Sequence, residues 1–172
     1  MTFLIDGYNL VHAVGLLPRG APAAALDRAR TRLLDWLAEA AAGRGDLLRV
    51  VFDAQAAPAA SPEADHRGVR VRFAFRRTAD DEIEELLAAE PLPARVTVVS
   101  NDARVREAGR RRGAAVRTCE EFVDWVIGAA RQQGADAPRS PGPDKPESAA
   151  TADEMAAWLA AFSAPPPKRR RR

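Results

Sequence analysis

The chain has 172 residues, of which 47% are hydrophobic, and this suits one globular domain with an appended segment. No apolar run approaches the roughly 20 residues that a membrane-spanning helix needs, and Asp6 interrupts the first apolar run too early for a secretory signal. The single cysteine, Cys119, excludes an internal disulfide and a cysteine-rich zinc site, so we expect a cytoplasmic protein without membrane partners in which Cys119 is a small buried hydrophobe.

Positive charge is concentrated in the last five residues, KRRRR. The 26 Lys and Arg residues against 24 Asp and Glu residues give a net charge of +2, but without this tail 21 basic residues face 24 acidic ones and the charge is −3. The body of the protein therefore has no general field that would attract nucleic acid, although local basic patches are compatible with this balance.

The first half of the chain predicts three strands and one helix. Apolar runs that end at an aspartate, at residues 2–5 and 47–52, are typical of buried parallel strands. Between them, apolar residues recur at spacings of three and four over 22–42, which predicts a helix that Gly43 ends. Residues 69–75, VRVRFAF, are mainly apolar residues alternating with arginines, so we expect a strand with one exposed face near the sheet edge.

The second half continues the same alternation. Thr78 caps a predicted helix at 79–89, a strand follows at 96–99, and then come an arginine-rich helix at 103–112, a short strand at 114–116 and a helix at 120–130. Strands that alternate with helices predict an α/β fold with a central, mainly parallel sheet flanked by helices.

The C-terminal part differs in composition from the rest. We predict a folded domain at residues 1–132, a flexible proline-rich linker at 133–150, a short amphipathic helix at 151–163 and a basic tail at 164–172. Two interpretations of the tail stay open, namely salt-sensitive RNA binding and improved solubility. The helix either docks on the domain or binds in a partner's groove.

Acidic residues follow the ends of three predicted strands, namely Asp6, Asp53 and Asp102, and the pair Asp80 and Asp81 opens a helix. Ligands of open parallel sheets bind in the crevice outside the carboxyl ends of the strands. Carboxylates that share a pocket repel one another unless a cation or bound protons neutralise them. Oxygen ligands without cysteine or clustered histidine favour Mg²⁺ or Mn²⁺, which suits hydrolysis of phosphodiester bonds.

The order of several motifs resembles the YacP-like NYN domains of the PIN-like nuclease superfamily. These motifs are FLIDGYN, RARTRLLDWL, VVFDA, TADDEIEEL, VVSND and GAAVRTCEEF, and the resemblance extends from the N-terminus to about residue 127. It implies a three-layer PIN-like (Rossmannoid) fold and a metal-dependent endoribonuclease. The implied substrate is single-stranded RNA or messenger RNA, including mRNA associated with ribosomes.

Site residues follow from the resemblance position by position. It implies that Asp6, Asp80 and Asp102 are catalytic and that these three, with Asp81, hold Mg²⁺ or Mn²⁺. Supporting positions are Asn9, in the DGYN turn, Asp53, in the FDA motif, and Asn101. The sequence departs from the family at Asn101, which stands directly before Asp102 where relatives more often have serine and aspartate together, so the partner of Asp102 stays open.

Six side chains are candidates for contact with RNA: Tyr8, His12, Arg30, Arg32, Arg76 and Arg77. The ring of Tyr8 either stacks on a base or packs beneath the sheet, and His12 either touches substrate or packs locally. One of the two helix arginines, Arg30 or Arg32, stabilises the acids or contacts phosphate, while the other is exposed. A basic strand edge is either a phosphate track or a solvated edge that discourages aggregation, and it comprises Arg70, Arg72, Arg76 and Arg77.

Other interpretations remain beside the nuclease. Taken alone, DGYN is typical of a turn, and Asp80 with Asp81 is typical of the first turn of a helix. The main alternative function is a non-catalytic RNA- or ribosome-binding module that keeps the fold. A phosphatase of the haloacid dehalogenase type is disfavoured, because the position two residues after Asp6 is Tyr8 and not an acid or threonine. The sequence carries no signal for an oligomeric state.

Overall fold

The computed structural model of the chain describes residues 1–17, 22–53 and 63–135. It divides into two compact units, Met1–Val123 and Asp124–Arg172. The predicted helix at 151–163, the basic tail and the linker beyond residue 135 lie outside the described residues. Within the described ranges, none of the helices has the length and apolar composition that crossing a bilayer would require.

A six-stranded sheet forms the centre of the first unit. Its spatial order is β3-β4-β2-β1-β5-β6, and every neighbouring pair is parallel except β3 with β4. This confirms the predicted α/β class with a mainly parallel sheet. The strands are β1 (Thr2–Asp6), β2 (Leu47–Asp53), β3 (Ala64–His66), β4 (Val69–Ala74), β5 (Val96–Val99) and β6 (Ala115–Arg117).

Five helices connect or follow these strands: α1 (Gly7–Ala13), α2 (Ala23–Ala41), α3 (Ala79–Ala89), α4 (Ala103–Arg111) and α5 (Cys119–Ala135). Side-chain oxygens cap four of them, because Asp6, Thr78, Asp102 and Thr118 accept hydrogen bonds from backbone N–H groups in the first turns of α1, α3, α4 and α5. Two of these caps are acids that were singled out from the sequence, so helix capping fixes the orientation of their carboxylates.

Helices cover both faces of the sheet. Side chains alternate along a strand, and Leu4 packs with Ile83 of α3 and Val105 of α4 in one buried cluster. Its neighbour Phe3 points to the opposite face, where its ring meets Phe122 at a centroid distance of 5.3 Å. This is the predicted three-layer arrangement.

Three local features differ from the sequence prediction. The structure has helix α1 where DGYN predicts a turn, and a short hairpin strand, β3, which makes β4 the second strand from the edge. Both elements are too short, at seven and three residues, to show a hydrophobic period. Helix α5 continues to Ala135 rather than ending at residue 130, since the intervening RQQ has good helix propensity.

The strand order reverses beside β1. The chain moves from β1 to β2 and β4 on one side and then returns to β5 on the other side of β1. Such a switch point opens a crevice between the loops that leave the two adjacent strands. The crevice here lies at the carboxyl ends of β1 and β5, where Asp6 and Ser100 stand.

Candidate active site

Asp6 is the most buried acid of the crevice, with 3% of its surface exposed. Its Oδ1 accepts a hydrogen bond from the backbone N–H of Asn9 at 3.1 Å, and its Oδ2 accepts from the Asn9 side-chain amide and from Ser100 Oγ, the latter at 3.2 Å. Burial raises the pKa of Asp6 although these hydrogen bonds oppose the rise. The carboxylate is therefore held in one orientation by donors that carry no charge.

Ser100 joins the two strand ends and was not singled out from the sequence. Besides donating to Asp6, its fully buried hydroxyl accepts a hydrogen bond from the backbone N–H of Asp102 at 3.0 Å. Serine and aspartate are thus coupled here across one intervening residue, Asn101. The only sequence signal was that Ser100 directly follows an apolar strand.

Asp80 and Asp102 bring two further carboxylates to the same region from α3 and α4. Asp102 Oδ1 caps α4 and accepts from the backbone N–H of Arg104 at 2.7 Å. The pKa of Asp80 is raised from 3.8 to about 6, first by burial and then by the negative charges of Asp6 and Asp102, while Arg104 opposes the rise. Three acids from three elements therefore act on one another electrostatically, which is the convergence that the strand ends predict.

Asp81 lies beside this group but is engaged elsewhere. Arg104 donates to Asp81 Oδ1 at 2.8 Å and to Glu84 Oε1 at 2.9 Å, and the first of these hydrogen bonds lowers the pKa of Asp81. The two neighbouring aspartates thus have different surroundings: the charges of Asp6 and Asp102 act on Asp80, whereas Asp81 is paired with Arg104 of the neighbouring helix α4.

Asn101 turns away from Asp102 towards the start of α5. Its Oδ1 accepts from the backbone N–H of Cys119 at 2.9 Å, and its Nδ2 donates to Glu120 at 2.9 Å. The contacts of Asn101 are with the helix, and Ser100 takes the position next to the acids. Cys119 is fully buried, as predicted, and burial raises the pKa of its thiol to about 12.

Tyr8 packs against β2. Its ring meets Phe52 edge to face at 5.3 Å, and its hydroxyl accepts a hydrogen bond from Arg30 at 3.3 Å. The guanidinium of Arg30 lies 5.2 Å from the ring centroid of Phe73 and is paired with Asp27. Tyr8 is half-buried in this packing, and its contact with a base stays a prediction.

Gly7 is needed for this packing. A Cβ atom at Gly7 would stand 2.3 Å from the Phe52 ring, so only glycine lets the first turn of α1 approach β2 this closely. The sequence motif DGYN thus begins with a capping acid and a glycine that accommodates an aromatic ring.

The remaining predicted residues lie on α1, α2 and β2. The ring of His12 is exposed, and its Nδ1 lies 3.1 Å from the carbonyl oxygen of Leu17. Arg32 is exposed on α2, and Asp53 is half-buried at the end of β2, where it aligns with Ala74 of β4.

Most of the basic strand edge is neutralised by acids. Arg70 pairs with Glu63 at 3.4 Å, and Arg72 and Arg77 both pair with the buried Glu82. These contacts favour the interpretation of Arg70, Arg72 and Arg77 as part of the scaffold rather than as a phosphate track.

The donor atoms of the crevice suit a hard divalent cation. Asp6, Asp80 and Asp102 offer carboxylate oxygens whose mutual repulsion a cation would relieve. Within residues 1–17, 22–53 and 63–135, no three Asp, Glu, His or Cys side chains form a group that could hold a metal ion as they stand. Mg²⁺ in phosphoryl-transfer sites commonly uses only one or two carboxylates, and waters and substrate phosphates complete its shell, so the residues present fit such an ion.

Comparisons with known proteins agree with this fold. A family model described as YacP-like NYN domain matches residues 3–159. Two crystal structures of Rae1 (YacP) from Bacillus subtilis are similar at 27% sequence identity. One has a TM-score of 0.60 and covers 78% of each chain, and the other, of a mutant form, has a TM-score of 0.57 and covers 80% of this chain and 86% of that one. A comparison with curated proteins finds no significant match. The chain therefore belongs to the YacP-like NYN domain family, a family of PIN-like nucleases.

Proposed function

We propose that the protein is a metal-dependent endoribonuclease that hydrolyses phosphodiester bonds in RNA. The observation that carries the proposal is the convergence of Asp6, Asp80 and Asp102, where burial and then the charges of Asp6 and Asp102 raise the pKa of Asp80 to about 6. Structural acids are normally paired with cations or solvated, whereas a cluster of coupled carboxylates in a crevice is typical of a catalytic site.

Each residue has a defined task in this proposal. Asn9 and Ser100 orient the carboxylate of Asp6 without neutralising it, and the α4 cap orients Asp102. Asp80 contributes a third carboxylate from the first turn of α3. When bound, Mg²⁺ or Mn²⁺ would neutralise these charges, make an attacking water more acidic and stabilise charge on the leaving oxygen.

The substrate in this proposal is single-stranded RNA or messenger RNA, with ribosome-associated mRNA as its physiological form, and the protein acts in the cytoplasm. Support for an RNA substrate comes from membership of the family. Metal-assisted hydrolysis of this kind needs no protein nucleophile, because the metal ion activates a water. The basic tail, KRRRR, would add salt-sensitive affinity for RNA.

The test maps new RNA 5′ ends after adding the protein, with Mg²⁺ or Mn²⁺, to naked RNA and to translating ribosomes. We expect cleavage by the wild type and by Glu107→Gln, which changes an exposed acid on α4, and none by Asp6→Asn or Asp80→Asn. Cuts found only on ribosomes would identify the form of the substrate. If the wild type binds RNA or ribosomes and cuts neither, the non-catalytic binding module is the correct function.

A further inference from the structure

One arginine at the same end of the sheet as the crevice has no acidic partner in the described part of the chain. Arg76 follows β4, and its neighbours Arg72 and Arg77 are paired with Glu82. Arg76 is exposed, and its guanidinium carbon lies 5.1 Å from the centroid of the Phe75 ring. Its positive charge is therefore available to a ligand, whereas the charges of Arg72 and Arg77 are neutralised by Glu82.

The backbone at Arg76 is strained. Its φ of 59° lies in the left-handed region, which disfavours residues that carry a Cβ. The other described arginine with positive φ, Arg67 at 54°, belongs to the two-residue hairpin turn between β3 and β4 with Gly68. No hairpin explains the conformation at Arg76, where glycine would be the least strained residue.

The position of Arg76 relates it to the acids. It stands just beyond the carboxyl end of β4, at the sheet end where the crevice opens, and four residues before Asp80. The ring of Phe75 supports the planar guanidinium through a cation–π contact and leaves its N–H groups for an anion. Arg76 is thus a cation without an acidic partner, at the end of the sheet that also carries the acids. Such a cation is suited to hold a phosphate of an RNA strand whose next bonds lie over the acids.

We propose that Arg76, supported by Phe75, is a phosphate-binding subsite that guides the RNA strand into the crevice. This inference rests on the proposed function for the identity of the ligand. The contact is to the RNA backbone, so it adds affinity without base preference.

The experiment compares Arg76 with Arg67, which has the same side chain and the same class of backbone conformation at the opposite end of β4. Arg67 is paired at 3.5 Å with Asp35, and it is distant from the carboxyl ends of the strands. We would measure fluorescence anisotropy of a labelled, unstructured uridine oligonucleotide over a range of salt concentrations. The reference protein carries Asp6→Asn, which keeps the RNA intact, and into it are introduced Arg76→Gln, Arg76→Gly, Arg67→Gln and Arg67→Gly.

We expect both Arg76 variants to weaken RNA binding about threefold to tenfold at physiological salt and to flatten the dependence of log Kd on log salt concentration by about 0.7. Both Arg67 variants should match the reference. Arg76→Gly should not lower the Tm, since glycine relieves the strain, so weaker binding without lower stability would exclude a merely structural role.

Equal affinity and equal salt slopes for the Arg76 and Arg67 variants would overturn the subsite, as would a reference protein that binds no RNA. The outcome is separate from that of the cleavage test. If the wild type does not cut RNA but binds it in a manner that depends on Arg76, the proposed hydrolysis fails and the subsite stands.

Discussion

Two buried carboxylates at the centre of this protein have opposite surroundings. Glu82 is 2% exposed and pairs with two guanidinium groups, those of Arg72 and Arg77, the latter at 2.6 Å. Asp6 is 3% exposed, and among the described residues it accepts hydrogen bonds from neutral groups only, those of Asn9 and Ser100. The charge of Glu82 is neutralised by two arginines, whereas the carboxylate of Asp6 is oriented by hydrogen bonds that do not neutralise it.

The contrast separates scaffold from site. The Glu82 pairs join α3 to β4 and to the segment that leads into α3, and thereby fix the helix that carries Asp80. A buried acid that accepts hydrogen bonds only from neutral groups keeps its negative charge for a ligand. This costs stability, because burial and, to a smaller extent, the charge of Asp102 disfavour the ionised form of Asp6. Burial alone therefore does not identify a functional acid, whereas the charge of its partners does.

The largest expected effect is the loss of stability when Glu82 of the scaffold is replaced. Replacing Glu82 by Ala removes the shared partner of two arginines, and we expect the free energy of unfolding to fall by about 3 kcal/mol. Because the arginine side chains are 36% and 34% exposed and can turn to water, the loss should be at the lower end for buried pairs. Urea denaturation monitored by circular dichroism measures it.

Asp6→Asn is the matched variant for this comparison. Asn also caps helices well and keeps the size of the side chain, so its stability should stay within about 1 kcal/mol of the wild type. A loss as large as that of Glu82→Ala would show that Asp6 is a structural acid like Glu82.

The placement of two candidate acids at the end of the sheet could be predicted from the sequence because the signal is local. An aspartate that follows an apolar strand lies at the sheet end whatever the strand order, which holds for Asp6 and nearly so for Asp102. The role of Ser100 depends on the adjacency of β1 and β5, and its partner Asp6 is 94 residues away. Such a pairing depends on the strand order, so it cannot be predicted from the local sequence.

The burial of Glu82 could not be predicted from the local sequence either. Glu82 stands in DDEIEEL among other acids that look alike in sequence, and helical periodicity predicts an exposed face for most of them. Its burial follows from Arg72 and Arg77 reaching it from β4 and from the segment before α3. The sequence therefore predicts where charge collects, but only the packed structure shows which charges are cancelled.

In the candidate site, we expect a smaller effect of opposite sign on the free energy of unfolding, and Asp80 is the residue responsible. Because the pKa of Asp80 is raised to about 6 in the folded protein, the folded state binds the proton more tightly than the unfolded state, whose pKa is near 3.8. The free energy of unfolding of the metal-free protein should then fall as pH rises from about 4 to about 6. Solvent screening limits the contribution of Asp80 to about 1 kcal/mol.

Asp80→Asn removes this contribution. In a chelator, the variant should be more stable than the wild type by about 1 kcal/mol above pH 7, and the difference should vanish below pH 4. Chemical denaturation across this pH range checks the prediction. A variant that is equally stable, or less stable, above pH 7 would mean that Asp80 carries no unfavourable charge interaction in the folded protein.

The smallest effect on stability distinguishes two asparagines, Asn9 and Asn101. Asn101 accepts the first backbone N–H of α5 from Cys119, so Asn101→Ala should lower the free energy of unfolding by about 0.5–1 kcal/mol. Its side-chain hydrogen bonds are made to the start of α5 rather than to the acids, and cleavage should stay close to that of the wild type.

Asn9→Ala should show the reverse pattern. Asn9 donates through its amide to Asp6 Oδ2, and losing a donor that orients the carboxylate we propose to hold the metal ion should reduce cleavage about 10–100-fold. The backbone N–H of Asn9 still reaches Asp6 Oδ1, so the cap of α1 and most of the stability remain. Single-turnover cleavage and urea denaturation on both variants measure the two effects side by side. If Asn101→Ala reduced cleavage as strongly as Asn9→Ala, cleavage would depend on the start of α5 as well, and Asn101 would belong to the site rather than to the scaffold.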